Sequence, residues 1–185
     1  MKKDLLCGEI ILKKPAHEYM EDILKFRQEI IQANDDDAFA GCSGLDNVDT
    51  REKLEEWLKL IEMMSMEETC PSDRVPSDVY IAVRLSDNKI VGIIDLRHHI
   101  NHPVLGTWGG HIGYTVRPDE RGKGYAVEML GQNLLNCKKL GLERVMVTCH
   151  PNNIASERTI LANGGVFEKE IEVDGTKVKR YWIEL

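Results

Sequence analysis

Residues 112–126 read IGYTVRPDERGKGYA, a stretch that is typical of a strand, a tight polar turn and the first turn of a helix. Gly122 and Gly124 have no side chains, so a ligand can approach the backbone of the turn closely. The amides at a helix start have no partner within the helix, and the helix dipole favours negative charge there. Arg121 and Lys123 add positive charge. The stretch therefore predicts an anion-binding turn, although glycine-rich turns also serve as plain connectors.

Two common nucleotide-binding motifs are absent from this turn. A Walker-type phosphate loop requires Ser or Thr after the lysine, and here Gly124 follows Lys123. The GxGxxG spacing of dinucleotide-binding domains is missing as well. The sequence therefore disfavours nucleotide hydrolysis and dinucleotide binding.

Hydrophobic periodicity and turn residues divide the rest of the chain into short elements on both sides of this stretch. The predicted strands are at 9–13, 78–85, 89–97, 111–116 and 144–148, with two more around the Asp174-Gly175 turn. The predicted helices are at 17–32, between 50 and 66, at 122–140 and from about 153 to 162. Hairpins mixed with helical crossovers predict an α/β fold around one mixed, mostly antiparallel sheet flanked by about four helices. A length of 185 residues fits a single domain over 1–185.

Composition narrows the classes of partner. The net charge of −7 disfavours a nucleic-acid backbone as ligand, because that would call for a basic face. No apolar run approaches the roughly 20 residues that cross a bilayer, and the amino terminus lacks the apolar core of a signal peptide, so a cytoplasmic protein without a membrane contact is expected. The five cysteines have irregular spacing that matches no zinc motif, which predicts reduced thiols and no metal cofactor.

The residues from Arg121 to Ala126 resemble the R/Q-x-x-G-x-G/A motif with which GNAT-superfamily N-acetyltransferases hold the pyrophosphate of acetyl-CoA. A second part resembles the same family, because Asn153 and Ser156 match its N-x-x-S/A helix and Gly164-Gly165 its closing turn. The resemblance implies a GNAT-like fold and acetyl-CoA as cosubstrate. It also implies a set of cofactor contacts: Val116, Arg121, Gly122, Lys123, Gly124, Tyr125, Ala126, Asn153 and Ser156. Asn153 and Ser156 are also good helix-start residues, and capping is the alternative role for both.

The catalytic groups are less well indicated. The family often has a tyrosine seven residues after the asparagine to protonate the leaving thiolate, and here that position is Ile160. Tyr181 on the last strand is one substitute, and water is another. For a general base the chain offers His98, His99 and His111, with imidazoles suited to proton transfer near neutral pH. His111 and His98 stand at the ends of neighbouring predicted strands, where ordinary structural histidines are also common.

These observations predict an N-acetyltransferase that moves an acetyl group to a primary amine of a small molecule or peptide by direct attack. The alternatives are a non-catalytic acyl-CoA-binding regulator, which the missing tyrosine suggests, and an interaction module on the same fold. Dimers are common in the family, so a homodimer is a further expectation. An acidic loop is predicted to favour cationic amines or simply to face water; its members are Asp35, Asp36, Asp37, Asp46 and Asp49.

Overall fold

The computed structural model describes residues 8–34 and 38–185. Within them, strands and α-helices follow the order that the sequence predicts. They are β1 (Ile10–Lys13), α1 (Met20–Ala33), α2 (Arg51–Met64), β2 (Ser77–Arg84), β3 (Ile90–Arg97), β4 (Tyr114–Val116), α3 (Tyr125–Lys139), β5 (Arg144–Cys149), α4 (Ile154–Ala162), β6 (Val166–Val173) and β7 (Thr176–Glu184). A short π-helical segment, Leu105–Gly109, lies in the connection between β3 and β4.

The strands form two sheets rather than the single sheet that the element order favours. The first sheet has the order β1-β2-β3-β4 and the second has the order β5-β7-β6. All of these pairs are antiparallel. The predicted class, an α/β fold of mostly antiparallel strands with flanking helices, is confirmed. The separation falls between β4 and β5, the two strands that α3 connects.

Helices cover both faces of the first sheet. Successive residues of a strand point to opposite faces. On β2, therefore, Val79 and Ile81 join the core formed with α1 and α2, whereas Ala82 joins the core formed with α3. Trp57 of α2 is buried in the first of these cores, and its indole Nε1 donates to the carbonyl of Ser43 (3.1 Å). The loop between α1 and α2 is thereby held against the sheet.

The boundaries around the glycine-rich turn differ from the sequence prediction for backbone reasons. The helix α3 begins at Tyr125 rather than at residue 122, because φ is +74° at Gly122 and +92° at Gly124, outside the right-handed helical region. β4 begins at Tyr114 rather than at residue 111. The amide of Gly113 donates to the side chain of Asp95 (2.6 Å), so this amide is not paired with a backbone carbonyl.

Arg117 is fully buried and ties the end of β4 to α1. Its Nη2 lies 2.7 Å from Asp22 Oδ1, and its Nε lies 2.7 Å from Glu29 Oε2. Its Nη1 donates to the carbonyl of Ile90 (2.7 Å), and its guanidinium carbon lies 5.7 Å from the ring centroid of Phe26. The polar turn that follows β4 is therefore anchored in the protein interior.

Several sequence predictions concern features that the structure addresses only in part. No described helix is both long and apolar enough to cross a membrane. Nor do the described residues bring three or more His, Cys, Asp or Glu side chains together as a metal site. The cysteines in this part of the chain are free thiols: Cys42, Cys70, Cys137 and Cys149. Cys7 and residues 35–37 lie outside the described residues, so the role predicted for the acidic loop stays a prediction.

Candidate functional site

The two sheets meet beside residue 111, and a gap lies beyond that point. The His111 amide donates to the Met146 carbonyl (2.8 Å), and the Met146 amide donates to Nδ1 of His111 (2.9 Å). Gly110 permits this approach, because a Cβ there would lie 2.6 Å from the Met146 carbonyl oxygen. After this link β4 pairs with β3 and β5 pairs with β7, and no ladder joins β4 to β5 in the described residues. The facing edges of β4 and β5 can therefore accept a ligand between them.

Two hydroxyl groups meet at this gap. The Tyr114 hydroxyl on β4 lies 2.8 Å from Oγ of Ser156 on α4. Burial raises the pKa of Tyr114 to about 12, so its hydroxyl stays protonated at neutral pH. The Ser156 amide donates to Oδ1 of Asn153 (3.0 Å), so Asn153 caps α4. Sequence patterns give no signal for Tyr114, because its partner is 42 residues away along the chain.

The turn between β4 and α3 presents open backbone. A Cβ placed on Gly122 or Gly124 would meet no atom within 4 Å, so the space in front of both glycines is empty of protein. Among the hydrogen bonds of the described residues, none is donated by the amides of Gly122, Lys123 or Gly124. Arg121 donates from Nε to the Val116 carbonyl (3.2 Å), which holds its guanidinium beside the end of β4. The turn thus combines unpaired donors with space for an anion.

Glu120 fixes the electrostatics of the turn. Its buried carboxylate lies 2.8 Å from each of three cations: Arg84 Nη1, Lys89 Nζ and Lys123 Nζ. Burial alone would raise the pKa of Glu120, but hydrogen bonds from Lys123, Lys89 and Arg84 outweigh burial and lower the pKa to about 2. Arg84 also pairs with Asp87 (2.7 Å), so three cations and two carboxylates leave an excess of one positive charge beside the turn. The turn is therefore suited to an anionic ligand even though Lys123 is itself ion-paired.

Tyr181, one of the predicted catalytic residues, lies on β7, and its hydroxyl is hydrogen-bonded to a side chain of α4. That hydroxyl donates to Oε1 of Glu157 (2.5 Å), and Lys179 Nζ contacts the same carboxylate at 3.0 Å. Burial and the hydrogen bond to Glu157 both raise the pKa of Tyr181. Its role as a proton donor stays a prediction, and these contacts show that the proton it carries already has an acceptor.

The predicted histidine bases do not come together. Nε2 of His98 lies 3.0 Å from Oδ2 of Asp78, which also forms an ion pair with Lys14. Asp78 is next to Val79 on β2, so it lies on the face of the sheet opposite to α1 and α2. His111, in contrast, lies at the base of the gap, where its Nδ1 accepts the Met146 amide. Of the predicted bases, His111 is the one that the structure brings next to β4 and β5.

The ring of His111 is held in its neutral form. Burial, reinforced by the charge of Arg97, lowers its pKa to about 4. A ring whose Nδ1 accepts a backbone amide is also in a fixed tautomer, with its proton on Nε2. His111 therefore links the two sheets structurally at neutral pH, and its use as a base would require the other tautomer, with Nε2 unprotonated and Nδ1 no longer accepting the Met146 amide.

We expect acid to destabilise the fold through His111. Its pKa falls from 6.5 to about 4 on folding, so the neutral ring stabilises the fold fully above pH 6.5. Below that value the unfolded chain takes up the proton first, and about 3 kcal/mol is lost as pH falls to about 4. Urea unfolding across this range, on the wild type and on His111→Gln, measures the effect. Equal pH slopes for the two proteins would contradict the assignment.

A cavity lies behind the base of the gap, on the side of α1 and α2. It has a volume of about 360 Å³ and is bordered by the loop after α1, by the residues before β2 and by the end of β3. Ser77, Asp95 and Arg97 line it. This volume is in the range of small-molecule sites, about 300 to 1,000 Å³. Sequence patterns give no signal for this cavity, since its walls come from five separate stretches of the chain, between residue 39 and residue 105.

Two glycines join this cavity to β4. A Cβ on Gly41 would lie 2.1 Å from the Gly113 carbonyl oxygen, and a Cβ on Gly113 would lie 2.7 Å from the Gly41 amide nitrogen. The loop after α1 is also held by Thr115, whose hydroxyl donates to the Ala40 carbonyl (2.8 Å). The cavity wall is therefore in direct contact with the strand that borders the gap.

Comparisons with known proteins agree with this geometry. Among curated proteins, no sequence matches the chain significantly. The structure is similar to a crystal structure of the microcin C7 self-immunity acetyltransferase MccE in complex with acetyl-CoA and AMP, at 18% identity and a TM-score of 0.69 over 97% of this chain and 94% of that chain. It is also similar to RimL, a ribosomal L7/L12 alpha-N-protein acetyltransferase in complex with coenzyme A, at 13% identity and a TM-score of 0.70 over 97% of this chain and 96% of that one.

A third similar structure is the spermidine N-acetyltransferase SpeG chimera from Vibrio cholerae and hSSAT, at 16% identity and a TM-score of 0.61 over 95% of each chain. At such identities the likeness concerns the fold. The sequence adds an independent result, because the family model of the acetyltransferase (GNAT) domain matches residues 10–166. That match spans most of the chain, including the gap, the glycine-rich turn and α4, and the chain therefore belongs to the GNAT acetyltransferase domain family.

Proposed function

We propose that this protein is an acetyl-CoA-dependent N-acetyltransferase that acts on a primary amine of a small molecule or peptide. The observation that carries the proposal is the open glycine-rich turn beside the gap between β4 and β5. Unpaired amides, an excess of positive charge and empty space in front of Gly122 and Gly124 fit a pyrophosphate. The gap between β4 and β5 fits the extended pantetheine arm of acetyl-CoA, which would run from that turn toward residue 113.

Different residues would contact different parts of acetyl-CoA. The turn from Arg121 to Ala126 would bind the pyrophosphate through backbone amides and the Arg121 guanidinium. The backbone of Val116 would contact the pantetheine arm along the edge of β4. Ser156 and Asn153 would line the opposite side of the gap from the start of α4, where Asn153 also caps the helix.

The chemistry requires one bond to form and one to break. When bound, acetyl-CoA supplies an activated acyl carbon as a thioester. The amine nitrogen attacks that carbon after losing a proton to water or to a base, and the carbon–sulfur bond breaks without a covalent enzyme intermediate. We assign the proton that the sulfur receives to the Tyr114 and Ser156 hydroxyl pair, which stands where the family tyrosine is replaced by the buried Ile160. His111, His98 and Tyr181 stay predicted participants in proton transfer.

The binding half of the proposal is tested by reversing one charge. Arg121→Glu is expected to weaken acetyl-CoA binding by roughly tenfold to a hundredfold, because a charge-assisted hydrogen bond is replaced by repulsion. Lys139→Glu is the matched control, since it makes the same charge change at the far end of α3. Calorimetric titration of both variants measures the difference. Unchanged affinity in Arg121→Glu would show that the pyrophosphate site is elsewhere.

The catalytic half is tested with a panel of amines. Acetylated product from any of them, detected by mass spectrometry, separates an enzyme from an acyl-CoA-binding regulator. Binding of acetyl-CoA without transfer to any amine would favour the regulator. Absence of acetyl-CoA binding would favour an interaction module.

A further inference from the structure

We propose that the cavity behind the gap is the acceptor site and that it takes a primary amine carrying an anionic group, with the amine at Ser77 and Asp95 and the anion at Arg74. This inference rests on the proposed function and names its substrate class. It follows from three features of the cavity: an unpartnered buried hydroxyl, a fixed carboxylate next to β4, and a guanidinium at the outer wall.

The hydroxyl of Ser77 marks the inner end. Ser77 is 2% exposed, and its Oγ has no hydrogen-bond partner among the described residues. A buried polar group without a hydrogen-bond partner destabilises the fold, so native structures rarely keep one without a reason. Because Ser77 lines the cavity, a ligand that donates or accepts a hydrogen bond there would remove this cost.

Asp95 fixes where that ligand must lie. It is 3% exposed, its Oδ1 accepts the Gly113 amide (2.6 Å), and its Oδ2 lies 2.9 Å from Nη2 of Arg97. Arg97, which also lines the cavity, donates from Nη1 to the carbonyls of Gly109 and Gly110. Asp95 lines the cavity, and its carboxylate touches the segment that leads into β4. An amine held by Asp95 and Ser77 is therefore next to the gap.

Burial raises the pKa of Asp95, and the positive charge of Arg97 offsets only part of this effect. A cationic ammonium in the cavity would favour the charged carboxylate and would in turn be favoured by it. The deprotonation that precedes attack would then take place at a nitrogen already beside the thioester.

Arg74 lies on the outer wall of the same cavity. Its side chain is exposed, and its Nη1 contacts Sδ of Met64 at 3.8 Å. No ion pair joins it to a carboxylate within residues 8–34 and 38–185. Phe39, Val75 and Leu105 supply apolar surface between the two ends. An acceptor with an amine, a short apolar spacer and a carboxylate or phosphate would match all three parts.

Asp73 stands on the same outer wall, so a diamine is the competing class. The two classes are separated by three amines of equal chain length: γ-aminobutyrate, n-butylamine and putrescine. We expect kcat/KM for γ-aminobutyrate to exceed that for n-butylamine by roughly tenfold, because one charge-assisted contact is added. Longer ω-amino acids would locate the best spacer. A preference for putrescine would overturn the inference in favour of a cationic acceptor.

Variants test the two ends separately. Arg74→Gln is expected to abolish the roughly tenfold preference for γ-aminobutyrate over n-butylamine. Arg51→Gln is the matched control. Arg51 is an exposed arginine at the start of α2, whereas Arg74 lies beyond the end of that helix, where it contacts Met64. Ser77→Ala is expected to raise KM for all three amines alike. A preference for γ-aminobutyrate that survives Arg74→Gln would overturn the assignment of the anion to this residue.

Two binding measurements distinguish an error in the acceptor class from an error in the proposed function. Calorimetric titration of the three amines into the protein saturated with coenzyme A reports acceptor binding without turnover. Acetyl-CoA binding is measured in parallel. If acetyl-CoA binds and n-butylamine is acetylated while Arg74→Gln changes nothing, only the acceptor class is wrong. If none of the amines binds, the cavity assignment is overturned, whatever the result for acetyl-CoA.

Discussion

Replacing Arg117 with methionine is expected to lower the free energy of unfolding by about 3 to 5 kcal/mol, the usual cost of removing one partner of a buried ion pair. The guanidinium is fully buried and is contacted by the carboxylates of Asp22 and Glu29, each at 2.7 Å. Methionine fills much of the same volume but leaves both carboxylates without their cation. It also leaves the Ile90 carbonyl without the donor that now contacts it at 2.7 Å.

The measurement is urea unfolding of the variant beside a control that removes a guanidinium from the surface. Arg158→Met is suitable, because Arg158 is exposed on α4. We expect its effect to stay within about 0.5 kcal/mol, as for most surface substitutions. A loss below about 1 kcal/mol in Arg117→Met would show that the buried ion pair contributes little to stability.

The same variant should also weaken acetyl-CoA binding while the protein is folded. Arg117 immediately precedes the turn that we assign to the pyrophosphate, and its contacts to α1 fix the backbone there. Loss of this anchor would let the unpaired amides of the turn sample other orientations. Titration at a temperature where the variant is fully folded separates this effect from the loss of stability.

Local patterns are enough to predict the order of the elements. The helix α2, for example, follows from Leu54, Trp57 and Ile61 at helical spacing after the Thr50 cap, and the structure has Thr50 Oγ1 accepting the Lys53 amide (3.2 Å). The Asp174-Gly175 turn predicts the hairpin of β6 and β7 for the same reason, since both residues adopt positive φ. Such features depend on residues that are close in sequence.

Features that depend on distant residues could not be predicted in this way. Arg117 belongs to the stretch that is most informative for the family, yet its burial depends on Asp22, which is 95 residues earlier. The division of the strands into two sheets likewise depends on which residues of β4 and β5 do not pair, and periodicity reports only which face a residue occupies. The cavity of Ser77 and Asp95 combines residues of β2, β3, the end of α2 and three connecting segments, and no single segment carries its pattern.

The catalytic groups could also be predicted only in part, because their arrangement depends on residues that are distant in sequence. The family motif directs attention to position 160, where Ile160 is fully buried in the core. The hydroxyl that reaches α4 comes instead from β4, and it meets Ser156 one helical turn before Ile160. Ile160 of α4 thus stands where the family often has a tyrosine, and Tyr114 of β4 supplies a hydroxyl group to α4 instead. Only the folded structure shows this arrangement.

Removing either hydroxyl of this pair is expected to lower kcat by roughly 10²- to 10⁴-fold, the usual range for loss of a general acid or base. Tyr114→Phe and Ser156→Ala are conservative changes, so acetyl-CoA affinity should change little by comparison. Because the two hydroxyls would act as one donor unit, the double variant should be scarcely slower than the slower single variant. Additive losses in kcat would indicate two independent roles.

Tyr181→Phe is the matched control, since it removes a phenol hydroxyl that donates to Glu157. If Tyr181→Phe abolishes turnover while Tyr114→Phe and Ser156→Ala leave it intact, Tyr181 is the acid, as the sequence alone suggests. The pH–rate profile adds a second criterion. A donor with the pKa of Tyr114, about 12, stays protonated through neutral and mildly alkaline pH, so no basic limb is expected there. An acidic limb due to His111 would lie near its lowered pKa of about 4, whereas a limb near 6.5 would point to a less buried histidine or to another group.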